Sequence, residues 1–224
     1  MDLKVLYDLT YGLYVLGARD RNSRNCGCVI NTCFQVTSED PKVAISVNKN
    51  NYTLQAIRDA GEFSLSIIAE ETDPDIIGKF GFYTSRDTDK YAEFGGTMVD
   101  GVPVVSGRFC GRLILRPVEY VDCGTHVVVI AGLKDTVAGE AGLHPMTYAY
   151  YHNVIKGRAP KNAPTYVAPA TDAPAAEGKG EAAGQARKFQ CDICGYIAET
   201  DGSPLPDDYV CPVCKADVSH FKPV

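Results

Sequence analysis

Two cysteine pairs near the end of the chain have the spacing of a metal site. Cys191 and Cys194 form one Cys-x-x-Cys pair, Cys211 and Cys214 form the other, and 16 residues separate the pairs. Two such pairs can present four thiolates in a tetrahedron, a ligand set that suits zinc or a single iron. The segment that carries them, residues 187–224, is too short to be stabilised by apolar burial alone, so we expect a metal to hold it together.

The remaining cysteines have no paired spacing. They are scattered through the first 158 residues at Cys26, Cys28, Cys33, Cys110 and Cys123. The N-terminus lacks the long apolar segment of a signal peptide, so we expect a cytoplasmic protein. The cytosol keeps thiols reduced, and a disulfide framework is therefore not expected. The sequence predicts that these five cysteines are mostly buried free thiols.

The composition excludes two classes of function. The 224 residues carry 22 basic and 28 acidic side chains, giving a formal net charge of −6. A nucleic-acid-binding protein needs a basic surface that displaces phosphate counterions. A membrane-spanning helix needs about 20 consecutive apolar residues, and the sequence contains no such run. We therefore expect no nucleic-acid partner and no insertion into a membrane.

A change in composition divides the chain into three parts. Between residues 159 and 186, 17 of 28 residues are Ala, Pro or Gly. Such a segment cannot bury enough apolar surface to offset the entropy that ordering would cost. We interpret it as a linker between a first domain at residues 1–158 and a small C-terminal domain at residues 187–224.

Alternating side chains in the first domain predict strands. Apolar residues alternate with small ones over residues 43–47 and 63–67, the period-2 pattern of a half-buried strand. Two short helices are predicted, one from Thr53 to Ala60 and one that begins near Asp73 and stops at residues 78–81. Many strands with few short helices predict a mainly β domain centred on a barrel.

The residues around the cysteine pairs resemble rubredoxin. Gly195 and Tyr196 follow the first pair, and residues 205–210 (LPDDYV) precede the second. The resemblance covers residues 188–224 and implies a small metal-knuckle domain in which four cysteine thiolates hold one iron. Rubredoxin iron passes one electron at a time. Hydrogen bonds to the sulfurs would tune its reduction potential.

This segment departs from the rubredoxin pattern in three places. The loop between the pairs is shorter than in free-standing rubredoxins, Tyr209 stands where tryptophan is usual, and Lys215 stands where glycine is usual. The shorter loop and Lys215 affect the expected potential and solvent access rather than the metal site itself. Because the cysteine spacing does not select the metal, a zinc ribbon remains the alternative.

Three polar blocks of the first domain resemble those of another family. They are NTCFQVTSEDP at residues 31–41, SVNKNNYT at residues 46–53, and KFGF, SRD and DKY within residues 79–91. In combination they are similar to the flavin reductase-like, FMN-binding split-barrel family over nearly all of residues 1–158. The resemblance implies a mainly β fold, a split β-barrel with short helices that binds FMN.

The same blocks supply the predicted cofactor-binding residues. By resemblance, backbone amides of residues 31–34 lie along the isoalloxazine edge. Asn48, Lys49 and Thr53 offer the amide, ammonium and hydroxyl groups that a phosphate prefers at a helix start. The full set is Asn31, Thr32, Cys33, Phe34, Ser46, Asn48, Lys49, Thr53 and Arg86. The alternatives are a plain buried strand at residues 31–34 and an ordinary polar turn in which Thr53 only caps a helix.

His126 is the predicted catalytic residue of the first domain. It follows Asp122-Cys123-Gly124-Thr125 and matches a histidine that recurs near the flavin in the family it resembles. It could fix a hydrogen bond or shape the nicotinamide pocket. The alternative is a structural histidine at the start of an apolar strand.

The two motif sets in one chain resemble the high-molecular-weight rubredoxins. The resemblance implies an electron-transfer oxidoreductase in which NADH or NADPH delivers a hydride to FMN. Single electrons would then reach a partner through the iron, by resemblance a flavodiiron protein that reduces nitric oxide or dioxygen. A homodimer is also implied. The alternatives are a flavin reductase that releases reduced FMN and uses its C-terminal ribbon as a zinc docking module, and a non-enzymatic flavin-binding scaffold.

Overall fold

The computed structural model describes residues 3–155, 157, 163 and 187–224. The predicted linker, residues 159–186, lies outside these residues except for Ala163. Within the described part of the chain, no helix is both long enough and apolar enough to cross a bilayer.

The first domain is built on one antiparallel sheet that curls into a half-barrel. Its strands are β1 (Tyr14–Arg19), β2 (Asn25–Ile30), β3 (Cys33–Gln35), β4 (Lys42–Asn48), β5 (Phe63–Ile68), β8 (Phe109–Asp122) and β9 (His126–Ala138). They are arranged in the order β2-β1-β5-β8-β9-β4-β3. Register shifts in the long β8–β9 pair, at Ile114/Leu115 and at Pro117/Glu119, let these strands bend. The predicted mainly β fold is confirmed.

A separate hairpin, β6 (Gly96–Val99) and β7 (Val102–Val105), lies over part of this sheet. The Ser64 hydroxyl of β5 donates a hydrogen bond of 2.6 Å to the carbonyl oxygen of Pro103. Ser64 and Ser66 are each 1% exposed, so β5 is buried on both faces. The alternating pattern predicted a half-buried strand, and that prediction is wrong because the hairpin covers the serine face.

Four short α-helices and a 3-10 helix at Leu3–Asp8 complete the described part of the first domain. The α-helices are α1 (Tyr52–Ala60), α2 (Pro74–Phe82), α3 (Lys90–Phe94) and α4 (Tyr148–Asn153). Helix α1 begins one residue before the predicted start, because the Asn51 side chain accepts a hydrogen bond from the Thr53 amide and acts as the N-cap. Helix α2 begins after Asp73 as predicted but continues through Gly78 and Gly81 to Phe82.

The C-terminal part forms a small three-stranded antiparallel sheet. Its strands are β10 (Arg187–Cys191), β11 (Ile197–Thr200) and β12 (Phe221–Pro223), in the order β11-β10-β12. The four cysteines of the Cys-x-x-Cys pairs lie at the centre of its small apolar cluster. Phe82 of α2 packs against the same cluster, so the C-terminal sheet rests on the first domain.

Candidate metal centre and cofactor cavity

The four paired cysteines converge on one point. Their Sγ atoms all lie within 4.8 Å of one another, and all four side chains are buried. Sγ of Cys191 lies 3.6 Å from that of Cys214, and Sγ of Cys194 lies 3.5 Å from that of Cys211. Tetrahedral thiolates around zinc at about 2.3 Å would have sulfurs roughly 3.8 Å apart. The four thiols therefore fit a single metal ion.

Backbone amides point at the sulfurs from both knuckles. The amide of Tyr196 donates to Sγ of Cys194, and the amide of Ala216 donates to Sγ of Cys214, but hydrogen bonds with Cys211 together with burial raise the pKa of both thiols. Hydrogen bonds from the Cys194 and Cys214 thiols lower the pKa of Cys211. The cluster alone thus stabilises one thiolate, at Cys211, and four thiolates require the positive charge of a bound metal.

Left-handed residues shape the two knuckles. Gly195 has φ 76° and Lys215 has φ 60°, and each directly follows the second cysteine of its pair. Their amides donate to the carbonyl oxygens of Cys191 and Cys211 at 2.8 and 2.9 Å. Glycine adopts this conformation without cost, whereas a lysine there is unfavourable by roughly 1 kcal/mol.

Tyr209 occupies the position at which the rubredoxin pattern has tryptophan. Its ring meets that of Phe221 edge to face, with the centroids 5.2 Å apart. Burial raises the pKa of its hydroxyl to about 12. The tyrosine therefore serves as an aromatic cover for the cysteine cluster.

The first domain contains a cavity between the sheet and helix α2. Strands β2 and β4 supply one wall, and α2 with the turn after it supplies another. Aromatic side chains of Phe80, Tyr148 and Tyr151 line it beside the polar groups of the β4–α1 turn. A mostly apolar cleft with a few convergent polar groups is the usual form of a cofactor site.

The predicted site residues divide into two groups. Four of them line the cavity: Asn31, Ser46, Asn48 and His126. The other six do not line it: Thr32, Cys33, Phe34, Lys49, Thr53 and Arg86. The structure thus brings together residues from β4, from β9 and from the residue after β2, which are far apart in sequence.

Four of the six predicted residues that do not line the cavity have a defined exposure or contact elsewhere in the structure. Phe34 is 59% exposed on the short edge strand β3. Lys49 Nζ lies 2.6 Å from a carboxylate oxygen of Asp122. Thr53 is buried within α1, and the guanidinium of Arg86 lies 5.5 Å from the centroid of the Tyr52 ring.

His126 lies opposite Asn48, another predicted site residue, across the sheet. It is the first residue of β9 and pairs in register with Asn48, the last residue of β4. Its Nδ1 lies 2.9 Å from the hydroxyl oxygen of Thr125. Both His126 and Asn48 line the cavity, so the β4–β9 pairing brings an imidazole beside an amide.

Lys90 is the main cavity residue that the sequence analysis missed. Its side chain is 1% exposed, and its Nζ donates to the carbonyl oxygens of Gly27 at 2.8 Å and Phe80 at 3.2 Å. Burial lowers the pKa of its ammonium to about 8. Asp89 caps α3 directly before it, which places Lys90 on the inward side of the first turn. A lysine directly after a helix-capping residue, in a block already noted as polar, was the available signal.

Tyr52 anchors the β4–α1 turn to the loop between β1 and β2. Its hydroxyl donates to Oδ2 of Asp20 at 3.0 Å, and Nε of Arg24 donates to the same oxygen at 2.9 Å. Burial disfavours the Asp20 charge, but these hydrogen bonds lower the pKa of the carboxyl to about 2. The buried carboxylate therefore fixes one edge of the cavity.

Comparison with known proteins assigns both parts of the chain. One family model, the flavin reductase like domain, matches residues 6–157, and another, the rubrerythrin, rubredoxin-like domain, matches residues 189–222. The high molecular weight rubredoxin of Moorella thermoacetica is 36% identical to the chain over the full length of both. The chain belongs to the high-molecular-weight rubredoxins.

Other similar proteins match only part of this high-molecular-weight rubredoxin. The ferric-chelate reductase (NAD(P)H) of Archaeoglobus fulgidus is 35% identical, covering 74% of the chain and 98% of that protein. The crystal structure of an FMN-binding protein from Thermus thermophilus gives a TM-score of 0.57 at 19% identity, over 63% of this chain and 83% of that one. An NADH:FAD oxidoreductase of Streptomyces globisporus gives 0.58 at 17% identity, over 64% and 83%. The two structures show that the half-barrel is a flavin reductase-like fold.

Proposed function

We propose that the chain is an NAD(P)H-dependent flavo-rubredoxin that binds FMN in the cavity and iron in the four-cysteine centre. One observation carries the proposal: the two sites lie against the same helix. Tyr83, directly after α2, lines the cavity, and its hydroxyl donates to the carbonyl oxygen of Cys214 at 3.3 Å. A cofactor in the cavity would thus be separated from the metal only by α2 and the turn that follows it.

When bound, FMN accepts a hydride from a reduced nicotinamide, and iron in four thiolates changes its charge by one electron at a time. A chain that holds both groups can therefore convert a two-electron donor into a one-electron donor.

The cavity residues have two tasks in this proposal. The side-chain amide of Asn48 would donate a hydrogen bond to a phosphate, and Lys90 lines the same cavity with a cationic side chain. Phe80 and Tyr151 form apolar walls that exclude water from the ring system. His126, which pairs with Asn48 across the sheet, would fix a hydrogen bond or shape the nicotinamide pocket, as the family resemblance implies.

The fit of FMN rests on the donor set of the cavity. Asn31, Ser46, Asn48 and Lys90 all line one cleft, and their side chains carry amide, hydroxyl and ammonium groups. An anionic, hydrogen-bonding ligand with an aromatic ring system matches these groups better than an apolar one. Lys49 stays a sequence prediction for the phosphate, but its ammonium is paired with Asp122, so the cation of this proposal is Lys90.

The wider features of the proposal follow from the family. The acceptor would be a flavodiiron protein that reduces nitric oxide or dioxygen, and the protein would be a cytoplasmic homodimer. The proposed organisation is a flavin domain at residues 1–158, a linker at residues 159–186 and a rubredoxin-like domain at residues 187–224.

Rapid mixing of the purified protein with NADH or NADPH tests the proposal. Flavin and iron absorbances are followed separately, and we expect flavin reduction to precede iron reduction. Iron that stays oxidised beside reduced flavin would contradict the relay. Bound flavin that neither nicotinamide reduces would instead favour the flavin-binding scaffold, or delivery of electrons by another protein.

A second function is favoured by one comparison. The ferric-chelate reductase of A. fulgidus is matched over 98% of its own length by 74% of the chain. A first domain that is sufficient for reductase activity would fit release of reduced FMN, with the C-terminal ribbon as a zinc docking module. Metal analysis of the isolated protein distinguishes the two functions, because zinc in the four-cysteine centre would exclude the relay.

A further inference from the structure

The second cysteine knuckle packs tightly against helix α2. A Cβ atom added at Gly78 would overlap the carbonyl oxygen of Val213 and would lie 3.2 Å from Cα of Cys214. Val213 is only 6% exposed, whereas Ile193, at the same place in the first knuckle, is half-buried. The absence of a side chain at Gly78 is therefore what permits the close contact.

An ion pair joins the same two surfaces. Lys215 Nζ lies 2.8 Å from a carboxylate oxygen of Asp75 in the first turn of α2. Lys215 holds this position in the left-handed conformation that glycine would adopt more easily. The lysine side chain is 47% exposed and that of the aspartate 36% exposed, so salt weakens the attraction. Such a contact can form and separate readily.

The opposite side of α2 faces the cavity. Ile77 and Phe80 line it from the helix, and Tyr83 lines it from the turn that follows. Tyr83 also reaches the carbonyl oxygen of Cys214, a predicted metal ligand. A short path through packed side chains thus connects the cavity with the cysteine cluster.

We propose that residues 213–215 and the α2 residues Asp75 and Gly78 form a reversible docking face for electron transfer within the chain. The inference rests on the proposed function and adds the contact through which it would operate. The transfer breaks no bond: one electron leaves the reduced cofactor of the cavity and reduces the metal from ferric to ferrous. Each hydride supplies two such transfers. Separation of the face would present the same knuckle to an external acceptor protein.

A zero-length crosslink tests the contact without relying on activity. A water-soluble carbodiimide should join the Asp75 carboxylate and the Lys215 amine as an amide with loss of one water, identified by mass spectrometry of the peptides. The yield of the crosslinked peptide should fall at high salt, and the peptide should be absent from the Asp75→Asn variant. Asp59→Asn removes an exposed charge from α1 and should leave it unchanged. Crosslinking a mixture of unlabelled and heavy-nitrogen-labelled protein shows whether the joined residues belong to one chain or to two, because a crosslink between two chains can join a labelled peptide to an unlabelled one.

Electron transfer in the full chain provides the second readout. Gly78→Ala places a methyl group against Val213, so we expect iron reduction to slow by about tenfold or more while flavin reduction keeps its rate. Asp75→Asn should slow iron reduction by only about two- to fivefold, the effect of a surface ion pair. Asp59→Asn should match the wild type.

The possible outcomes distinguish failure of the docking face from failure of the proposed function. Wild-type protein whose iron is never reduced would overturn the proposed function, and the electron-transfer role of the face with it. The docking face alone would be overturned if the wild-type protein relays electrons but forms no Asp75–Lys215 crosslink, and if Gly78→Ala relays electrons at the same rate as the wild type. A crosslink found only between two copies would also overturn transfer within one chain.

Discussion

Lys49 Nζ lies 2.6 Å from a carboxylate oxygen of Asp122, at the edge where β4 meets the end of β8 and the start of β9. The Lys49 ammonium, which the sequence predicts to contact a phosphate, is thus already paired with a carboxylate, and the Lys49 side chain is 39% exposed. Lys90 is instead buried in the cavity wall with backbone carbonyls as its hydrogen-bond partners. The positive charge available to a ligand in the cavity comes from Lys90.

This difference predicts opposite results for the two lysines. Lys49→Ala should change the affinity for FMN by less than about threefold, because it removes a charge that Asp122 already neutralises. Lys90→Met should weaken FMN binding by about 1.5–3 kcal/mol, the usual loss for a charge-assisted hydrogen bond. Quenching of FMN fluorescence on titration with flavin-free protein measures both.

Circular dichroism of each variant serves as the control for folding, because Lys90→Met also leaves the carbonyl oxygens of Gly27 and Phe80 without their donor. The assignment fails if folded Lys90→Met binds FMN as tightly as the wild type. A large loss of affinity in Lys49→Ala would return the phosphate contact to Lys49.

The pKa of Lys90 predicts how FMN binding depends on pH. Burial lowers this pKa to about 8, so the side chain is charged below that pH and neutral above it. An anionic ligand prefers the charged form, and affinity should therefore fall as pH rises through 8. With one proton linked to binding, the dissociation constant at pH 9 should exceed that at pH 7 by about tenfold.

Lys90→Met is the matched control for this pH dependence. The variant lacks the titrating ammonium, and its affinity should vary little between about pH 7 and 9. Equal slopes in the wild type and the variant would assign the pH dependence to another group.

Substitution of one paired cysteine should separate the two centres. Cys211→Ser replaces a thiolate that two neighbouring thiols hold in place, and three remaining sulfurs bind iron weakly. We expect the ferric-thiolate absorbance to disappear while NAD(P)H still reduces the flavin, because the cavity has its own core. Loss of flavin reduction would mean that the first domain depends on the metal centre. Cys123→Ser, at an exposed cysteine of the first domain, should keep both absorbances.

The sequence predicted the metal centre better than the cavity. Each Cys-x-x-Cys pair forms its knuckle from residues close together in sequence. The metal centre then requires only that the two knuckles meet. The cavity is assembled from β2, β4, α2 and β9, whose register depends on the whole sheet. Local blocks could therefore name Asn48 and His126 but could not show which neighbouring side chains turn inward.

Lys49 and Ser64 show why the remaining predictions failed or stay open. Lys49 follows Asn48 by one residue, and a change of one position at a strand end turns a side chain from the cavity to the opposite side. The alternating pattern at Ser64 predicts a half-buried strand because nothing local reveals that a distant hairpin covers it. The pairing of Lys49 with Asp122 and the burial of Ser64 both depend on contacts between residues far apart in sequence.

Tyr209 provides a final prediction, on retention of the metal. Its ring packs edge to face on Phe221 and covers the cysteine cluster. Tyr209→Ala should destabilise the metal-bound C-terminal domain by about 2 kcal/mol, below the range for a fully buried aromatic residue because Tyr209 is half-buried. We expect iron loss to a chelator, followed by the ferric-thiolate absorbance, to become at least about tenfold faster. Tyr209→Phe keeps the ring and should retain iron nearly as well as the wild type. Equal rates of iron loss in all three proteins would show that the aromatic cover does not limit access to the metal.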